Sequence, residues 1–514
     1  MFARVFSGGV MGVDACCIEV EVDAGGGIGQ ILIVGLPDAA VKESQERVRS
    51  AIKACSFLMP SGKKWVVNLA PADTRKEGPA FDLPIAVGIL AATDCLPTTY
   101  LSDFWVVGEL GLDGSVRPVS GVLPIAMACQ AGGTANIIVP DANGEEAGLV
   151  DGLSVYPVSH LKQVCAILTD PTSGARLPAN RPESLSRGRH NQTFEFDFDD
   201  VKGQEHAKRA LEIAAAGRHN ILMVGPPGSG KSMLAQRLPS ILPPLEFPEA
   251  LELTKLYSVA GLLPNKSALI IERPLRAPHH SASIAGLIGG GGVPRPGEVS
   301  LSHLGILFLD ELTEFPRAHL DNLRQPLESG TVTISRAQSC FTFPASFLLV
   351  GACNPCPCGH RGDPIKYCVC TPGQADRYWS RLSGPFLDRI DLHVEVSRLR
   401  ETELASTAGS ESSESIRLRV MRAVERQRER FPAGHFVFNG QLSHQQVGKI
   451  CRIDEPARTL LARAVTQLGL SARAYDRILR IARTIADLSA EDQIEPVNIA
   501  EAVRYRSMFR PACV

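Results

Sequence analysis

The sequence has no uninterrupted apolar stretch long enough to cross a bilayer, so no membrane-spanning helix is expected. Its start, Met1 to Val10, holds a single Arg and no long apolar core, and does not read as an export signal. It also lacks an excess of positive charge: 53 Lys and Arg face 55 Asp and Glu, a formal net charge of −2. Nucleic-acid contact must then come from local patches or from the inner surface of an assembly. Short-period repeats are absent. Cysteine is not scarce, with 14 in the chain, but in a large chain without an export signal it points to reduced thiols, some of them metal-bound, and to the cytoplasm. The 514 residues, 44% of them apolar, suit a globular chain of about three domains.

Residues 1–168 mix short strands with helices and read as an α+β domain. Strands are expected over 14–22, 30–34 and 65–69, the first two separated by Gly25-Gly-Gly27. An amphipathic helix is expected over 38–54, with Ala40, Val41, Val48 and Ile52 on one face, and a buried helix over 83–92. Residues 169–194 are rich in Pro, Ser, Gly, Arg and Asn without periodicity, and read as a linker. Residues 195–400 form an α/β segment, and 401–514 a helical region that opens on a Ser-, Glu- and Thr-rich connection.

The strongest local signal is Gly225-Pro226-Pro227-Gly228-Ser229-Gly230-Lys231-Ser232. It matches G-x-x-x-x-G-K-[ST] and follows the apolar run Ile221 to Val224. Its glycines let backbone N–H groups close around phosphates, Lys231 reaches the outer phosphates and the Ser232 hydroxyl serves Mg²⁺. Residues 233–238 can open a helix whose N-terminal end faces the same phosphates. A bound nucleoside triphosphate is expected.

Gly305 to Leu312 is a second signature: a buried strand ending in adjacent carboxylates. Asp310 is the candidate for the Mg²⁺ shell and Glu311 for the residue that polarises the attacking water. Adjacent strand residues point in different directions, so the two can serve different partners. A third strand, Phe347 to Gly351, leads to Asn354, a turn residue or a group that positions the water. Arg389, within Phe386-Leu-Asp-Arg-Ile-Asp391, is either a surface ion-pair member or an arginine finger that enters a neighbouring subunit's site.

Five cysteines lie between 353 and 370. Cys356 with Cys358 and Cys368 with Cys370 form two pairs able to close a structural tetrahedral Zn²⁺ site, although Cys353 leaves the choice of four open. His279 and His280 are adjacent, so their side chains are expected to point apart and to suit nucleic-acid or interface contact rather than metal. The arginines from Arg417 to Arg430 crowd one helix and read as a solvated or intersubunit face.

These signatures resemble the AAA+ ATPases, and within them the magnesium-chelatase type. Asp200 to Gln204 looks like the adenine-side segment, which assigns Val201 and Gly203 to the nucleotide. Arg276 to Ser281, Gly286 to Gly292 and Pro296 to Ser300 look like that branch's insert, and Leu327 to Arg336 like the hairpin before the sensor strand. Ser471-Ala-Arg473 opens a helix where the family keeps a second sensor arginine, so that role passes to Arg473, with Arg477 as second choice.

Lys76 to Leu83 and Val107 to Val119 resemble the Lon-type protease domain, a ribosomal S5 domain 2-like fold. Ala80 stands where that family has its serine, and Leu123-Pro-Ile125 where it has its lysine, so cleavage by the dyad is not expected and a scaffold role is.

Together the three regions resemble the ComM/YifB family. The resemblance implies an α/β AAA+ P-loop core with a helical lid, ATP, Mg²⁺, and a hexameric ring that drives DNA branch migration in natural transformation. Arg276 and Arg336 are the candidates for tracking DNA phosphates. The competing expectation is a magnesium-chelatase-like metal-insertion or protein-remodelling subunit.

Overall fold

The computed structural model describes residues 2–27, 29–60, 62–73, 75–177, 194–264, 269–291, 294–335, 340–399, 410–432, 434–469 and 471–507. Its contacts divide the chain into two units. The first holds Met1–Gly188, Glu246–Ile271 and Ser335–Phe343, and the second Arg189–Leu245, Glu272–Ile334 and Pro344–Val514. Among the described residues no helix is long and apolar enough to cross a membrane.

The first unit is built on a seven-stranded mixed sheet. Its strands are β1 (Phe2–Met11), β2 (Asp14–Gly26), β3 (Ile31–Val34), β4 (Lys63–Ala70), β5 (Phe104–Val106), β6 (Asn136–Pro140) and β7 (Ser154–Val158), in the order β3-β4-β2-β1-β5-β6-β7. Strand β2 buries Ile18, Val20 and Val22 and leaves Glu19 and Glu21 between them half-buried, the period of a strand with one face on a core. It does not stop at the glycines: Gly25 and Gly26 stay in register with Lys64 and Lys63 of β4. Glycine weakens a strand but does not end one while a neighbour supplies the ladder.

Helix α1 (Ala39–Ala54) starts at Asp38, whose carboxylate accepts from the Val41 N–H at 2.8 Å, and buries Val41, Ser44, Val48, Ala51 and Ile52. Every residue of α2 (Asp82–Ala92) is buried. Its one charge, Asp82, is held by Arg47 through Nε at 2.6 Å and Nη2 at 3.0 Å, and by the Ser44 hydroxyl. Removing one member of such a pair costs about 3–5 kcal/mol.

Ala80 lies in the short turn Pro79–Phe81 before α2, and Leu123 and Ile125 are buried in α3 (Val122–Ala131). In place of dyad chemistry, buried Glu146 accepts from the Leu123 N–H at 2.8 Å, Asn143 Nδ2 at 2.9 Å and the Ser258 hydroxyl. Burial raises its pKa. Ser258 belongs to the helix Phe247–Ala260, which joins this unit across a long stretch of sequence; its Ser258 carbonyl also accepts from the Gly121 N–H at 3.0 Å. Helix α4 (Leu161–Thr169) buries Leu161, Val164, Ile167 and Leu168.

The second unit contains α5 (Glu205–Gly217), β8 (Ile221–Val224), α6 (Lys231–Arg237), β9 (Leu275–Arg276), β10 (Ile306–Leu309), β11 (Leu348–Cys353), α7 (Pro372–Trp379) and β12 (Leu392–Glu395). The strands form a parallel sheet in the order β9-β10-β11-β8-β12. The three central strands are buried throughout, as parallel strands covered on both faces must be.

The helical region has α8 (Ser413–Arg428), α9 (Glu455–Leu468), α10 (Ala472–Leu488) and α11 (Pro496–Ser507). It packs on α5: Gln427 Nε2 reaches the Ala216 carbonyl at 2.9 Å, and Arg419 Nε meets Glu212 at 2.5 Å.

Candidate functional site

Parallel strands put all their C-terminal ends at one edge of the sheet, and three sequence signals converge there. After β8 the chain turns through Gly225 to Gly230 into α6. A side chain at Gly225 would lie 2.1 Å from the Val396 carbonyl, and Gly228 and Gly230 take left-handed φ of +77° and +92°. Only glycine fits all three positions without strain.

Lys231 is buried, and its Nζ donates to the carbonyls of Gly225 at 2.7 Å and Pro226 at 3.0 Å and to Asn354 Oδ1 at 3.3 Å. Burial lowers its pKa. Asn354, beyond the end of β11, thus meets the loop lysine directly.

Ser232 Oγ donates to Asp310 Oδ2 at 2.7 Å, and the other Asp310 oxygen accepts from the Glu311 N–H at 2.9 Å. A hydroxyl and a carboxylate side by side form an oxygen donor set that suits Mg²⁺. Glu311 has a φ of +50°, which turns its side chain out of the strand, and that side chain is 60% exposed. Its Oε2 lies 3.5 Å from His280 Nδ1. The two histidines therefore do not point apart. Their rings lie 4.0 Å apart at 34°, because the chain after β9 is irregular and a strand's alternation does not hold there.

The adenine-side segment adjoins the same loop. Val201 is buried, Gly203 has a φ of +58°, and Gln204 Nε2 donates to the carbonyls of Ser229 at 3.3 Å and Ser397 at 2.5 Å.

Arg389 lies at the other end of the sheet. Its carbonyl accepts from Asn220 Nδ2 at 3.1 Å, and Asn220 immediately precedes β8. Its guanidinium donates to the Pro385 carbonyl at 2.5 Å and pairs with Glu328. Arg389, Glu328, Asp321 and Arg324 line a cleft of about 400 Å³. Arg473 is exposed in the first turn of α10; one turn on, Arg477 lies 3.4 Å from Asp391, so this helix reaches the Arg389 end of the sheet.

Arg276 ends edge strand β9, and Glu298 grips it with two bonds of 2.6 and 2.7 Å. Arg336 lies outside the described residues. Of the arginines on α8, Arg419 pairs with Glu212 and Glu411, Arg426 with Asp492, and Arg428 covers the Phe436 ring.

The Sγ atoms of Cys356, Cys358, Cys368 and Cys370 all lie within 4.8 Å of one another. Three of the separations are 3.4, 3.6 and 3.6 Å. Tetrahedral Zn–S bonds of ~2.3 Å require S–S edges of about 3.8 Å, so the set fits zinc. Contacts headed by the His360 backbone N–H hold the Cys358 thiol down at about 6, while burial and the neighbouring thiols raise Cys368 and push Cys370 up to about 12. Cys353 stays apart, buried in β11, and burial pushes its thiol up to about 12. The cysteine loop touches the phosphate loop, since a side chain on Gly359 would meet the Pro227 ring at 2.6 Å.

Sequence reasoning did not single out Glu298, Glu328 or the approach of His280 to Glu311. Each is a contact over 22 or more positions that no local motif spells out.

Known proteins match along the whole chain. Residues 197–404 match the family model "Magnesium chelatase, subunit ChlI", 20–143 match "Subunit ChlI of Mg-chelatase", and 410–506 match "Magnesium chelatase, subunit ChlI C-terminal". The chain is 45% identical over 512 residues to the competence protein ComM of Haemophilus influenzae, covering 99% of this chain and 98% of that protein. It is 44% identical over 510 residues to YifB of Salmonella typhimurium, covering 99% and 97%. The chloroplastic magnesium-chelatase subunit ChlI of Nicotiana tabacum is 23% identical over 379 residues, covering 68% and 82%.

Proposed function

The chain belongs to the ComM/YifB family of magnesium-chelatase-like AAA+ proteins, and on that premise we propose that it is an ATP-hydrolysing motor that works as a hexameric ring and drives branch migration of DNA junctions. The observation that carries this reading is the division of the hydrolytic groups between opposite ends of one parallel sheet. The phosphate loop, Asp310, Glu311 and Asn354 share the C-terminal edge, while Arg389 is anchored to Asn220 at the N-terminal edge. In this reading Arg389 serves the site of a neighbouring subunit rather than its own. The name of the Haemophilus relative, a competence protein, supports DNA as the substrate.

Each residue then has a task. Backbone N–H groups of the loop after Pro227, from Gly228 onward, cradle the phosphates, and the Lys231 ammonium offsets their charge. Ser232 and Asp310 hold Mg²⁺, which when bound screens the outer phosphates. Glu311 takes a proton from the attacking water, and Asn354 orients that water. Arg389 of one subunit, with Arg473 beyond it, stabilises charge on the nucleotide of the next. Arg276 and Arg336 track DNA phosphates; for Arg276 this means exchanging Glu298 for a phosphate. The four clustered cysteines hold a structural Zn²⁺ beside the phosphate loop.

The chelatase names of the matching family models favour a second reading, metal insertion or protein remodelling by the same ATPase. One assay separates the two. Purified protein is incubated with a labelled four-strand DNA junction, ATP and Mg²⁺, beside Lys231→Ala and Glu311→Gln. Junction processing by the parent and by neither variant supports the DNA motor. Intact junctions in the presence of measured ATP turnover transfer the activity to another substrate.

A further inference from the structure

Around its second cysteine pair the chain leaves three large apolar side chains in water: Tyr367 is 95% exposed, Val369 83% and Ile365 61%. Lys366 stands among them, also exposed. This tip is held at its base. The pairs converge behind it, and Asp363 fixes the preceding turn by accepting from the Ile365 N–H at 2.9 Å and facing Arg398 at 3.8 Å. Apolar groups on a fixed loop, rimmed by polar ones, mark a contact surface.

Its place in the fold narrows the partner. The loop leaves β11 just after Asn354 and packs on the phosphate loop through Gly359 and Pro227. The tip therefore sits at the nucleotide edge of the sheet. At the opposite edge Arg389 borders the cleft of about 400 Å³, whose wall carries Asp321 and the exposed Glu328. If Arg389 of one copy reaches the nucleotide of another, as proposed above, its cleft arrives beside that copy's cysteine loop. Turning to the nucleotide also takes Arg389 away from Glu328 and leaves that carboxylate facing the incoming tip.

We propose that the tip formed by Ile365, Lys366, Tyr367 and Val369 seats in the Arg389-side cleft of a second copy of this chain, with Lys366 taking the place of Arg389 as the partner of Glu328. Charge gives little hold for a nucleic acid there: Arg361 and Lys366 are the only Lys or Arg between residues 356 and 370. The inference rests on Arg389 acting across a subunit boundary.

The test is assembly of the full chain, followed by sedimentation with Mg²⁺ and a non-hydrolysable ATP analogue. Lys366→Glu, Tyr367→Ser and Glu328→Lys should each raise the protein concentration at half-assembly by about ten-fold. The double exchange Lys366→Glu with Glu328→Lys should recover most of that loss. Bound zinc and the melting temperature of Tyr367→Ser should match the parent, since that side chain is almost wholly exposed. Assembly of the single variants at the parental midpoint overturns the proposal, as does unchanged assembly with weakened DNA binding, which gives the surface to DNA. A parent that stays a monomer with nucleotide overturns both this proposal and the ring on which it rests.

Discussion

Nδ1 of His280 lies 3.5 Å from Oε2 of Glu311. The histidine comes from the irregular segment that follows edge strand β9, and the glutamate from the end of β10, so the contact ties the insert to the carboxylate expected to act on water. Phe315 stands edge-on to the His280 ring at 6.3 Å and limits where the ring can turn. With Glu311 acting on water as proposed above, an imidazole so placed would orient the carboxylate.

His280→Ala should lower kcat for ATP about ten-fold and leave KM within about two-fold. His280→Phe, which keeps a ring but has no N–H, should behave like alanine, and His280→Asn should recover part of the rate. Steady-state kinetics on the three variants decides. Faster turnover in His280→Ala would mean that the histidine restrains Glu311 instead.

The cysteine set makes a second prediction. Purified protein should carry one zinc ion per chain, and Cys356→Ser or Cys368→Ser should lose it. Structural zinc contributes on the order of 10 kcal/mol to a small site, so its loss should unseat the loop that packs on Pro227 and raise KM for ATP several-fold. Metal analysis and kinetics check the two halves. Parent protein free of metal after gentle purification contradicts the site.

A third prediction concerns pH. His393 is buried in β12, and burial, reinforced by Arg506, lowers its pKa to about 3. In the unfolded chain it titrates near 6.5, so between about 6.5 and 3 the unfolded state binds a proton that the native state does not. This contribution is full above pH 6.5 and lost as pH falls, at about 1.4 kcal/mol per unit. From pH 7 to 5.5 the unit should lose about 1 kcal/mol through this group. The melting transition that ATP shifts should fall less steeply over that range in His393→Gln than in the parent. Equal slopes would refute the assignment.

The nucleotide loop was legible because its determinants are contiguous: the apolar run 221–224, the three glycines, then Lys231 and Ser232. The apolar run 306–309 likewise reads as a buried strand, and the structure buries all four of its residues. Other features depend on distant partners. Gly25 and Gly26 read as a break, but Lys63 and Lys64 supply a ladder that carries β2 through them. The helix Phe247–Ala260 sits between two nucleotide-site signals in the sequence, yet it joins the first unit through Ser258 and Glu146. The adjacent histidines, expected to point apart, lie in an irregular segment where their rings approach to 4.0 Å. The pairing of Arg389 with Glu328 needs the cleft to be folded before it exists.

The measurement that bears most directly on the central claim mixes two inactive proteins. Lys231→Ala keeps Arg389 but cannot handle phosphate; Arg389→Ala keeps the phosphate loop but offers no arginine to its neighbour. Each alone should turn over ATP at least about a hundred-fold more slowly than the parent. If the site is completed across a subunit boundary, mixing them with Mg²⁺ and ATP should restore a substantial part of the activity, because some boundaries then pair an intact loop with an intact arginine. A mixture as inactive as its components, with co-assembly verified by sedimentation, would contradict the account.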